Sequence, residues 1–324
     1  MRDFAGRRVL WAVAAVLMAA LIYWGRRDLH RILELDPYWV AVCAAGTLGV
    51  AVCAALKWWI SLRAMGETGA AHFGSLLHYF MIGRAIGLVI PMDISDLGVR
   101  TMSLKMDHSV SVKRASYSVY LDRAFDLIVT VIFLAPSVLF IAGTVSARLC
   151  VALYAAVFAV GFLCFVFLGR QSMRALQWFF QLLFKLVCRI PWVGRRVGGE
   201  SNVDWLDSAG IAHIAPGLFL ISGAKLMCMV LRYYSIAVAI GITLSFEDVT
   251  AFVPSAQFAA LFALTPGGLG IADWSWSGLL YKIGVGKQSI VPYLISLRLV
   301  IALSIVVLAL VSRMMYRKPG PERE

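Results

Sequence analysis

Charge is what this sequence has least of. Asp, Glu, Lys and Arg together make up 15% of its 324 residues, where a soluble domain carries about a quarter. No polar stretch is long enough to be a second, soluble domain; the longest, around 169–213, amounts to a loop. In place of charge the chain has 61% hydrophobic residues and a mean hydropathy of +0.82. That balance excludes a soluble globular protein and indicates one integral membrane domain over 1–324.

Other absences narrow the chemistry. No G-x-x-x-x-G-K-[ST] occurs, which disfavours nucleotide hydrolysis. The six cysteines (Cys43, Cys53, Cys150, Cys164, Cys188, Cys228) form no C-x-x-C and have no histidine pattern beside them, so no zinc site is expected and they read as small packing residues. His30, His72, His78, His108 and His213 are scattered and lack a partnered nucleophile. No catalytic residue, metal or cofactor is assigned on this basis, and the chain is read as not an enzyme. Methionine and tryptophan are read as lipid-facing or interfacial. The net charge of +12 is not matched by a basic run with interleaved aromatics, so a nucleic-acid partner is rejected; cytoplasmic loops of membrane proteins collect Lys and Arg in any case. Arg2, Arg7 and Arg8 precede the apolar run 9–24, but no small-x-small cleavage site follows it. That run is read as an uncleaved first span.

A membrane-spanning helix needs about 20 mainly apolar residues. Six segments meet this: about 9–25, 38–60, 116–141, 149–168, 215–243 and 290–312. Two further apolar regions are interrupted, 72–106 by Gly87, Pro91 and Gly98, and 250–283 by Pro254, Pro266, Gly267, Gly268 and Gly270. Each predicts two half-length helices around a breaker, as in a re-entrant hairpin. Such backbone is tolerated at membrane depth only inside protein or beside a wet cavity. The 174–192 segment predicts an interfacial helix within the 169–213 cytoplasmic loop.

Basic residues at the N-terminal arm, 57–71 (including Lys57 and Arg63), 107–115, 169–213 and the tail predict a cytoplasmic side for all of them, and cytoplasmic termini. Threading six spans then makes the first hairpin enter from the cytoplasm and the second from outside. Pro91 stands as far before Arg123 as Pro266 stands before Arg298, so one constant offset carries the first pair onto the second. An inverted repeat is therefore expected, with cores at 72–141 and 250–312; transporters built this way bind substrate at the repeat interface.

Charges within a bilayer are costly and mark a function or a pair. The candidates are Arg84, Asp93, Asp96, Arg100, Asp122, Arg123, Asp126, Lys225, Arg232, Asp273 and Arg298. Asp96 and Arg100 share a helix face and can pair. Asp122 and Asp126 also share one, and repel unless a cation sits between them. Lys225 and Arg232, seven apart, predict a basic stripe facing inward. Structural pairing and a phosphate-gripping cavity both fit these groups. Gly267 and Gly268, before Asp273, fit either a turn or a backbone anion site.

The segments GRAIGLVIPMDISDLGVR, YLDRAFDL and FALTPGGLGIADWS with SLRLV after it resemble the lysylphosphatidylglycerol synthase transmembrane family, flippase-like proteins also found as the membrane half of aminoacyl-phospholipid synthase/flippases. The resemblance implies a multi-span fold with re-entrant segments that moves or handles lipids. The chain departs from it in having Ser95-Asp96 where Gly-Glu is common and Asp273 where Glu is usual. No aminoacyl-transfer domain follows the last span, so synthase activity is not expected. The function expected is a lipid flippase of the cell membrane acting on a phospholipid or polyprenyl-linked lipid. Arg84, Asp96, Arg100, Asp122, Arg123, Asp126, Lys225, Arg232, Gly267, Gly268, Asp273 and Arg298 are the substrate-site candidates. The alternatives are a membrane glycosyl- or phosphotransferase on a polyprenyl-phosphate carrier, or an accessory subunit of a partner synthase or glycosyltransferase; a homo-oligomer is open.

Overall fold

A computed structural model describes residues 23, 29–67, 72–90, 92–174, 178, 212–260 and 271–316. The expected span at 9–25, nearly all of the 174–192 segment, Pro91 and the segment holding Gly267 and Gly268 lie outside them. Among the described residues every regular element is helical. Five helices are long and apolar enough to cross a membrane: α1 (Pro37–Ala64), α4 (Val112–Ile141), α5 (Ala147–Phe167), α6 (Ala215–Ala239) and α9 (Lys287–Met315). Between them lie four short helices, α2 (Phe73–Ile86), α3 (Met92–His108), α7 (Phe246–Ala260) and α8 (Ile271–Lys282). The protein is an all-α polytopic membrane protein.

Local sequence accounts for the helix starts. Asp36 caps α1 through Tyr38 N with Pro37 at the first position, and Ser111 and Ser146 cap α4 and α5 through Arg114 N and Leu149 N. These are the residues that best satisfy unpaired amides at a helix start. Two expected breaks do not occur. α3 passes through Gly98, where the cost is only about 1 kcal/mol relative to alanine, and α7 passes through the buried Pro254. Proline is tolerated in membrane helices because neighbours take up the freed backbone group. Only the turn after α2, at 87–90, interrupts the first region within the described residues.

Packing orders these helices. α1 and α6 run antiparallel along their length: Asp36 N donates to Ala239 O, Trp39 meets Tyr234, Gly46 lies against Cys228 and Arg232, and Lys57 bonds Ser222. α2 packs on α3 and on α9, with His78 Nδ1 3.0 Å from Ser312 Oγ. Tyr79 OH donates to Asp107 Oδ2 at 2.6 Å, and Tyr316 OH reaches the same oxygen at 3.2 Å. Both outer ends of the α2–α3 hairpin therefore lie beside the C-terminal end of α9. At the other end of the bundle, Lys282 at the close of α8 donates to Ile141 O at the close of α4.

These packings come in matched sets. α1–α2, α2–α3, α3–α4 and α1–α4 each have a counterpart in α6–α7, α7–α8, α8–α9 and α6–α9. The cross-packings α2–α9 and α1–α9 are matched by α4–α7 and α4–α6. The offset that carries Pro91 onto Pro266 extends to element ends: it carries Ala64, the last residue of α1, onto Ala239, the last of α6, and the α4 cap Ser111 onto the α9 cap Gly286. Contacts repeat too. Trp58 Nε1 donates to Ser118 Oγ, while Tyr293 OH donates to Tyr233 O.

Candidate functional site

The largest polar assembly is built on α1, α3, α4 and α6. At its centre is Lys57, with no exposed surface, whose Nζ lies 2.8 Å from Asp122 Oδ1. The same nitrogen donates to Asp122 O and Ser222 Oγ, each at 3.0 Å, and to Asp126 Oδ1. It is the cation between two carboxylates one helical turn apart on α4. The expectation that Lys57 belongs to a cytoplasmic segment is corrected here: α1 continues to Ala64, so Lys57 is well inside it. Its signal was in the sequence, as a lysine within the apolar 38–60 run.

Asp122 Oδ2 accepts from Arg100 Nη1 at 2.8 Å, and Arg100 lies 4.2 Å over the Trp58 ring. Trp58 and Trp276 are buried, which corrects the lipid-facing or interfacial expectation at these two positions, whereas Trp178 and Trp274 are exposed. Asp96 and Arg100 do approach, at 3.5 Å, but each has a closer partner on α4; Asp96 is held by Arg123 Nη2 at 2.5 Å. Glycines allow this. A Cβ on Gly83 would lie 3.3 Å from Asp96 Cα, and one on Gly87 would lie 2.8 Å from Ser95 Oγ. The hairpin arms close tightly enough to carry Asp96 to α4, and Ser95 Oγ donates to Gly83 O at 3.0 Å. Lys225 of α6 completes the assembly, 2.5 Å from Asp126 Oδ2.

Four cations (Lys57, Arg100, Arg123, Lys225) thus meet three carboxylates (Asp96, Asp122, Asp126) among the described side chains. Lys57, Arg100 and Asp122 are sealed, whereas Arg123 is 38% and Asp126 24% exposed. The assembly opens at the α4 face that carries these two. Asp96 is buried although its arginine is not.

The second half holds a related pair. Arg298 of α9 grips Asp273 of α8 through Nε at 2.6 Å and Nη2 at 2.7 Å, with Asp273 buried and Arg298 27% exposed. The acid is on the second short helix and the arginine on the following span, as with Asp96 and Arg123. Arg84, near the end of α2, lies 5.4 Å from the centre of the Phe80 ring. Lys225 and Arg232 are both buried: Lys225 joins the assembly, and Arg232 faces the Tyr233 ring at 5.2 Å. Asp93's side chain, Gly267 and Gly268 lie outside the described residues.

The sequence matches the family described as lysylphosphatidylglycerol synthase TM region over residues 9–309. No curated protein matches it.

Proposed function

The chain belongs to the lysylphosphatidylglycerol synthase transmembrane family, and from that premise we propose that it moves a phosphate-bearing or glycosylated lipid between the leaflets of the cell membrane. The observation that carries this reading is the Lys57-centred assembly. It is a set of charges inside apolar spans, grading from sealed at Lys57 to open at Arg123. Charged groups at such depth face a bundle interior or a wet path and mark substrate routes. The part-exposed Arg123 suits an anionic headgroup, because arginine matches phosphate through paired donors.

The matched packings, the antiparallel α1 and α6 and the repeated acid–arginine pair support an inverted repeat, with α2–α3 and α7–α8 as re-entrant hairpins from opposite sides. Each hairpin is tethered to the next span by an acid–arginine pair, Asp96–Arg123 in one half and Asp273–Arg298 in the other. In this reading Arg123 and Arg298 are the exposed members of equivalent tethers, one per half, and alternate access exchanges which of them meets the headgroup.

The transferase alternative needs paired carboxylates free to hold a metal. Lys57 Nζ occupies the space between Asp122 and Asp126, and Asp96 is committed to Arg123 and Arg100, which favours transport. The test is reconstitution in liposomes with headgroup-labelled lipids. Arg123→Ala and Arg298→Ala are expected to slow movement at least tenfold, about 1.4 kcal/mol in the barrier. Wild-type rates in both variants would remove the site; no movement by the wild-type protein alone, with a synthase co-purifying, would favour the accessory-subunit reading.

A further inference from the structure

Four cations are buried among the described residues: Lys57, Arg100, Lys225 and Arg232. The first three have carboxylates within salt-bridge distance. Arg232 has none among the described residues, and its Nε is buried without a hydrogen-bond partner. Arg232 is only 7% exposed, and its guanidinium lies 5.2 Å from the Tyr233 ring. An unpaired guanidinium inside a membrane helix costs about 2.5–3.5 kcal/mol even by the mildest measure.

The correspondence between the halves shows what is missing. The offset that carries Ala64 onto Ala239 carries Lys57 onto Arg232, so Arg232 is the second half's Lys57. Lys57 is answered by Asp122 and Asp126 on α4; the corresponding positions on α9 are Leu297 and Ile301. Its hydroxyl partner Ser222 corresponds to Thr47, which follows Gly46, where a Cβ would lie 3.3 Å from Arg232 Cβ. The second half has the cation and the hydroxyl position, and no carboxylate answers them among the described residues. α1 and α6 are antiparallel, so Arg232 lies toward the opposite end of the bundle from Lys57.

We propose that Arg232 is an anion-binding residue whose missing counter-charge is supplied by a phosphate, taken between α1, α6 and α9 at the end of the bundle where Asp36 meets Ala239. Two features fit a phosphate. A guanidinium stays charged when desolvated and offers paired donors, which the lysine at the equivalent position does not. The buried Tyr233 ring, with Trp276 packed on it at 4.6 Å between centroids and Tyr293 beyond, keeps water from the guanidinium and so strengthens its attraction for an anion. The choice of a membrane lipid as the source of the phosphate rests on the transport reading; the anion site itself does not.

The experiment measures binding to the purified full chain in a zwitterionic detergent by intrinsic tryptophan fluorescence. The three probes are dioctanoyl phosphatidic acid, dioctanoylglycerol and inorganic phosphate, so the two lipids differ only in the phosphate. The wild type is expected to bind phosphatidic acid saturably and at least tenfold more tightly than dioctanoylglycerol. Arg232→Gln is expected to erase that preference. Leu297→Asp, which places on α9 the acid that α4 has at Asp122, is expected to erase it too while restoring an internal partner, so that a folding defect of Arg232→Gln cannot decide the outcome. Binding of inorganic phosphate with the same dependence on Arg232 supports the site with a free anion as its source. An unchanged preference for phosphatidic acid in both variants, or no preference in the wild type, overturns the proposal. Anion binding at Arg232 without lipid movement in liposomes rejects transport alone. Lipid movement with no anion preference rejects this site alone.

Discussion

A lysine in an apolar helix is tolerable only if its charge is answered, and Lys57 is answered three times, by Asp122, Asp126 and Ser222. Such a group contributes little net stability as a pair, since desolvation offsets attraction, but removing one partner strands the others. Lys57→Met is accordingly expected to destabilise the protein by about 3–5 kcal/mol, measured by unfolding in bicelles. Lys57→Met with Asp122→Asn is expected to recover part of that loss, because the stranded carboxylate is the costly group. A double variant no better than the single would show that the lysine's packing matters more than its charge. At the same scale Asp273 and Arg298 form a bidentate pair. Arg298→Lys keeps the charge but not the fork, and is expected to behave more like Arg298→Ala than like wild type in the liposome assay.

At the scale of elements, α1 and α6 are the seam between the halves. Their antiparallel packing is close enough that a Cβ on Gly49 would lie 2.6 Å from Cys228 Sγ. The Cys53 and Cys228 side chains lie close enough for their thiols to interact. The offset between the halves carries Cys53 onto Cys228, so the two correspond to one another and meet where the seam crosses itself. Mild oxidation by copper phenanthroline is expected to remove two protons and two electrons from this pair, giving an intramolecular 53–228 disulfide readable by mass spectrometry of a non-reduced digest. A parallel arrangement of α1 and α6 would not bring these two together, and absence of the linkage would count against the seam. Cysteine reads from the sequence as packing material. For Cys43 and Cys150, both buried, that holds; the meeting of Cys53 with Cys228 needed the helix pairing, which no local pattern carries.

For the whole molecule, the proposed re-entrant hairpins make a prediction about sidedness. In a cysteine-free background, single cysteines at His72 and Lys105 flank the first hairpin, and single cysteines at Thr243 and Gln288 flank the second. All four positions are exposed. The first two are expected to react with an impermeant maleimide from one face of sealed vesicles and the second two from the opposite face. Labelling of His72→Cys and Lys105→Cys from opposite faces would make α2–α3 a spanning element and remove the re-entrant reading.

Composition alone determined that this is a helical membrane protein, because 61% apolar residues, gathered into runs long enough to span, leave no other way to satisfy the backbone in lipid. The expected ion-pair members on α3 and α4, and the need for a cation between Asp122 and Asp126, were legible from helical spacing, which is a local property. The equal interval from breaker to arginine in the two halves was legible for the same reason. Which cation filled the gap was not. Lys57 and Asp122 are distant in the chain, and only the packing of α1 on α4 makes them neighbours. The fates of Lys225 and Arg232, alike in sequence, likewise depended on what α4 and α9 present to them: two aspartates in one half, leucine and isoleucine in the other. The equal spacings were visible in the chain, but the difference in how Lys57 and Arg232 are answered became visible only when the helices were packed, since a buried charge is defined by the groups that surround it.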